Sequence, residues 1–139
     1  MGEVMEDREL IQLVLDFARE MNDLESTFPL KDFLGGKSQQ FHAQLHNIWS
    51  RYLTPRKIKN SIGGFHTPPL FRNVTEEAVF TVEAEKNRRI VEVLVDGCEC
   101  DFRFALVHRG GEWRIDSLKM RYHSEDGPTE DDMWVYRKL

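Results

Sequence analysis

His42 and His46 stand four residues apart where apolar residues recur at helical spacing, so both imidazoles share one helix face. With a glutamate between them and a third ligand elsewhere, such a pair makes a zinc site. Here the intervening residues are Ala43, Gln44 and Leu45, and no third ligand is evident. The expectation is two half-exposed helix histidines and no metal. Cys98 and Cys100, two residues apart, have the spacing of a metal clip or redox pair only if they leave the core. On a strand this spacing puts both on one face, where cysteine acts as a small hydrophobe. His108 is the best-placed acid or base, at a strand end opposite Trp113, with Asp116, Tyr122 and Tyr52 as possible helpers. Against it stands a rim-capping role, because no second polar cluster accompanies it. The chain has no phosphate-cradling glycine motif, nucleophile elbow or serine–histidine signature. No catalytic residue and no cofactor is expected.

These side chains are positioned by two kinds of element. Leu10, Leu13, Val14, Phe17, Met21 and Leu24 form one apolar helical stripe, with Asp7, Glu9, Asp16, Arg19, Glu20 and Asp23 on the other face. Pro29 interrupts the chain between Ser26 and Phe33, and Gly35-Gly36 closes the region. Ser38 then reads as the N-cap of a second helix that buries Phe41, Leu45, Ile48, Trp49 and Tyr52. Thr54-Pro55 stops it. Residues 54–73 are irregular, punctuated by Gly63-Gly64 and Pro68-Pro69, and read as a long loop with one short helical turn.

From Glu77 the apolar period becomes two. Two-residue turns at Asn87-Arg88, Asp96-Gly97 and Gly110-Gly111 define three hairpins. They pair Val91 with Ala84, Val93 with Val82 and Val95 with Phe80. They also pair Val93 with Cys100, Val91 with Phe102, Leu106 with Ile115 and His108 with Trp113. All of these residues then share one inward row, together with Cys98 and Phe104. The apolar phase changes between Ile115 and Leu118, which predicts a bulge near Asp116-Ser117 that curls the sheet. A short last strand, Trp134 to Lys138, returns to an edge. The expected architecture is α+β: N-terminal helices packed on one face of a curved antiparallel sheet, with residues 1–139 as one domain. Each large apolar side chain fully buried in such a cone contributes roughly 1.5–3 kcal/mol.

Charge suggests the partner. Hydrophobic residues at 40% and charged residues at 31% are normal for a globular chain, and the formal charge of −5 argues against general nucleic-acid binding. No run reaches the roughly 18 apolar residues of a membrane helix, and the acidic segment Met1–Arg8 does not resemble a signal peptide. Reduced thiols and a cytoplasmic location are the expectation. The predicted register sets Glu83 opposite Glu92 and Glu92 opposite Asp101, an acidic row costing roughly 0.2–1 kcal/mol per clash. Two readings stay open: a solvated face with diagonal ion pairs from Arg89 and Arg103, or a stripe that meets a basic partner. Arg56, Lys57, Lys59 and Arg72 make the 54–73 loop basic, and Glu125, Asp126, Glu130, Asp131 and Asp132 form a second acidic block. The candidate partner-binding residues are thus Arg56, Lys57, Lys59, Glu83, Glu92, Asp101, Glu125 and Asp126.

The run from Thr54 to Phe65 (TPRKIKNSIGGF) resembles a segment of small immunity proteins encoded beside Rhs-type polymorphic toxins. Gly111 to Leu118 (GEWRIDSL) resembles the hairpin and strand of nuclear transport factor two-like domains. Together with the order of elements, the resemblance covers nearly the whole chain. It implies a bacterial cytoplasmic protein, monomer or homodimer, that binds a cognate toxin domain and blocks it stoichiometrically, without catalytic residues, nucleic acid or membrane. Two rivals remain: a small cone-fold isomerase, dehydratase or cyclase using His108 on an apolar ligand, and a dimerisation module using the outer sheet face.

Overall fold

The computed structural model describes residues 2–66, 68–95, 100–124 and 126–139. Helix α1 (Gly2–Thr27) buries Leu10, Val14, Phe17, Met21 and Leu24 along the expected stripe. A single turn α2 (Leu30–Asp32) follows Pro29. The wide turn Phe33–Lys37 is kinked at Gly36, whose φ of +103° suits glycine. Helix α3 (Ser38–Tyr52) starts one residue earlier than expected: Ser38 is its first residue rather than its cap, and Lys37 sits at the cap without a side-chain bond. Its buried face is Phe41, Leu45, Ile48 and Trp49, with Tyr52 half-buried. The short turn expected in the loop is α4 (Pro55–Lys59). Pro55 supplies its first residue, and the Thr54 hydroxyl accepts from Lys57 N at 3.1 Å.

Strands β1 (Val79–Glu85), β2 (Arg88–Leu94), β3 (Cys100–Arg109), β4 (Glu112–Tyr122) and β5 (Val135–Tyr136) form one antiparallel meander in chain order. The Gly110-Gly111 hairpin has the expected register, with Leu106 opposite Ile115 and His108 opposite Trp113. The expected bulge is also present. Leu106 pairs with Ile115 but Ala105 with Ser117, so Asp116 is the extra residue of β4.

The other two registers differ from expectation by two residues. The β1–β2 turn is Lys86-Asn87 rather than Asn87-Arg88, with Lys86 at φ +56°, and Val82 meets Val91 where Val93 was expected. Between β2 and β3, Val93 meets Phe102 rather than Cys100. The Asp96-Gly97 turn and Cys98 lie outside the described residues. A slip of two keeps every side chain on its own face. Phe80, Val82, Val91, Val93, Val95, Cys100, Phe102, Phe104, Leu106, Trp113 and Ile115 therefore all pack into or against the core, as predicted, while Ala84 is exposed.

Phe17, Phe71, Phe102 and Phe104 meet at centroid distances of 5.4–6.5 Å and fill the space between helices and sheet. Phe71 comes from the irregular loop, yet it is fully buried. Leu53 bridges Ile115, and Thr54 N donates to Ile115 O at 2.9 Å, so the loop leaves α3 tied to β4. Its far end is tied to the last residues. Leu139, 2% exposed, offers its main-chain oxygen to the N–H groups of Ile62 and Gly63 at 2.9 and 2.7 Å. Among the described residues no helix is long and apolar enough to cross a membrane.

Candidate functional site

The residues whose types could do chemistry are occupied structurally. His42 Nε2 is 2.9 Å from the Gly63 carbonyl oxygen, and its ring packs edge-on to Phe33 and Phe41. His46 is exposed and lies against Trp49 at 5.1 Å. Cys100 packs against the core from the inward row. His108 belongs to that row by register but is exposed beyond its rim, its ring tilted against Trp113 with the centroids 5.0 Å apart. Its suggested helpers are elsewhere engaged. Tyr52 donates to Glu20, which Arg51 also grips through two bonds of 2.7 and 2.6 Å. Burial and the bond to Glu20 push the Tyr52 phenol up to about 12. Tyr122 is exposed at the other end of β4.

A polar chain that the sequence did not suggest runs through Glu25, His66 and Arg137. The Glu25 carboxylate is wholly buried and accepts from His66 N at 2.6 Å and Leu70 N at 3.3 Å. His66 Nδ1 is 2.7 Å from the same carboxylate, and Arg137 donates to His66 Nε2 at 3.2 Å. A guanidinium has no acceptor, so Nε2 takes the bond and Nδ1 carries the proton. Both ring nitrogens are committed, which makes this imidazole a rivet between α1, the loop and the last segment rather than a base. Neither Glu25 nor His66 belongs to a recognisable spacing pattern. The distance of 41 residues between them leaves no local signal.

The acidic row across the outer sheet does not exist. With the register shifted, Glu83 lies opposite Ile90, and Glu92 lies between Thr81 and Arg103. Arg103 donates to Glu92 at 2.8 Å. Asp101 is 2% exposed, holds Arg121 at 2.7 Å, and lies 3.2 Å from His123 Nε2. The His123 pKa is raised by its bond to the Ser124 carbonyl, against burial, with help from Asp101. Trp134 lies over both arginines, 4.2 Å from Arg103 and 4.4 Å from Arg121. The row now reads Thr81, Glu92, Arg103, Lys119, Tyr136 across all five strands. It is cationic and aromatic toward β5.

The basic loop joins that side of the molecule. Arg56 closes on the Asp116 carboxylate, which also accepts from the Thr54 hydroxyl at 2.8 Å. Burial pushes the Asp116 pKa up, but bonds from Arg56 and Thr54 and the Arg56 charge outweigh it and leave the carboxyl below its usual range. Lys57 is a correction to the candidate list. It is 6% exposed, and its ammonium donates inward to the Arg137 carbonyl at 2.7 Å, so it is no surface contact. Burial first, and then Arg56, holds its pKa below the usual lysine value. Glu92 and Asp101 likewise serve internal ion pairs. Arg56, Lys59, Glu83 and Asp126 are exposed, and Glu125 lies outside the described residues.

Four hollows lie on the exterior. One of about 510 Å³ separates α1 from residues 74–77, and one of about 490 Å³ lies between α4 and Arg114. Two more, of about 120 and 340 Å³, adjoin on the outer sheet face. His108 lines none of these four. Among the described residues no group of three or more His, Cys, Asp or Glu is arranged to hold a metal ion.

The cone between helices and sheet is filled by aromatic side chains. Residues 9–134 match the family model described as NTF2 fold immunity protein. The chain belongs to that family of toxin-neutralising immunity proteins. No curated protein and no solved structure matches it.

Proposed function

We propose that this protein binds the toxic domain of an Rhs-type polymorphic effector in the bacterial cytoplasm and neutralises it by stoichiometric masking. The family match over residues 9–134 carries the reading. The resemblance of the Thr54–Phe65 run to immunity proteins of Rhs systems supports the narrower assignment. The filled cone agrees with it, because Trp49, Phe102, Phe104 and Leu106 are at most 3% exposed and occupy the volume a substrate would need. Recognition then falls to exposed charges, among them Arg56, Lys59, Glu83 and Asp126. The test is direct. The effector domain encoded beside this gene should co-purify with the protein as a one-to-one complex, and co-expression should restore growth of cells making the toxin. Wild-type protein that neither binds nor protects would remove the proposal.

A further inference from the structure

The two hollows on the outer sheet face share Arg88, Ser117 and Tyr136, so they are one trough running from β1 beneath Tyr136 to α4. Its floor is apolar and small: Ile90 is 7% and Ala105 4% exposed, with Ser117 beside them. Its walls are mostly cationic. Arg88, Arg103 and Lys119 line one half, and Arg56, Arg137 and Lys138 the other. The carboxylates present are Glu83 and Glu85 at the β1 end, Glu85 already paired with Arg88, and Asp116, which Arg56 and Thr54 already occupy. In a chain of formal charge −5 this concentrates positive charge at one place. Lys119 and Lys138 make no ion pair among the described residues. Lys119 instead lies 4.6 Å from the ring of Tyr136, which is 70% exposed.

Resting on the immunity reading above, we propose that this trough is the docking site for an extended acidic segment of the cognate toxin domain. Its carboxylates would meet Lys119 and Lys138, and its side chains would cover Ile90 and pack against Tyr136. Charge complementarity selects an acidic partner. Glu83 and Glu85 at the β1 end, with the overall negative charge, select a protein segment over the uniform phosphates of a nucleic acid. An exposed aromatic at the rim of a desolvated floor is also the usual anchor of a protein interface.

The full chain and the toxin domain encoded beside it are mixed, and affinity is measured calorimetrically at low and high salt. Lys119→Glu combined with Lys138→Glu should weaken binding by about a hundredfold, since close charge pairs at such interfaces couple strongly. Tyr136→Ala should weaken it by about tenfold. Lys31→Glu, on α2, should leave it unchanged. Circular dichroism checks folding, and Lys119→Gln with Lys138→Gln replaces the double reversal should that variant misfold. Wild-type binding that the trough variants leave intact would overturn this site while sparing the immunity reading. Absence of wild-type binding would overturn both. A second copy of the chain, or a short RNA, bound through Lys119 and Lys138 in place of the toxin would also overturn the proposed occupant.

Discussion

Arg56 reaches across from the first turn of α4 to grip Asp116, the single residue by which β4 outruns β3. The bulge lengthens one strand by one residue, and its carboxylate anchors the loop that forms one wall of the trough. Thr54 holds the same carboxylate while capping α4, so one side chain couples the sheet's irregularity to the helix start.

Asp116→Ala should therefore cost about 1.5–3 kcal/mol, the range for hydrogen bonds to a charged group. Because the folded pKa is depressed, Asp116 stabilises the fold above the ordinary aspartate value near ~3.9. That contribution disappears as pH falls through the lowered folded value. Urea unfolding of wild type and variant at neutral and acid pH reads both effects, and the two proteins should converge in acid.

His123 has the opposite sign. Its folded pKa is raised, so its contribution is complete below the ordinary histidine value of about 6.5 and is lost as pH climbs through the raised value. Replacing His123 with Asn should flatten the stability profile over that interval. A parallel profile in both proteins would dissociate His123 from Asp101.

Removing the rivet should be costly. Glu25→Ala deprives the His66 and Leu70 N–H groups of their acceptor and leaves Arg137 without its chain to α1. The expected loss is about 3–5 kcal/mol, as for a broken buried pair. Amide exchange should show the 62–70 stretch opening first.

Phe71 tests whether the loop belongs to the core. It is fully buried against Phe17, Phe102 and Phe104. Truncation to alanine should destabilise by about 3–5 kcal/mol, read from the shift of a denaturation midpoint. A loss below about 1 kcal/mol would mean that the loop merely covers the aromatic cluster.

Hydrophobic spacing by itself determined the element types, the inward faces of both long helices and all four long strands, and the bulge at Asp116. Each of these depends on a period of 3.6 or 2 that local residues carry. The tertiary structure decided which neighbours those faces acquire. Sliding β1 on β2, or β2 on β3, by two residues leaves the inward apolar row inward, so the pattern cannot distinguish the two registers. The outward charges, however, change partners entirely. Glu92 thus exchanges Glu83 and Asp101 for Thr81 and Arg103, and an expected acidic stripe becomes a cationic, aromatic one. The same holds for Lys57, His66 and Phe71, whose irregular loop has no period, and whose burial depends on strands and a last segment distant in the chain.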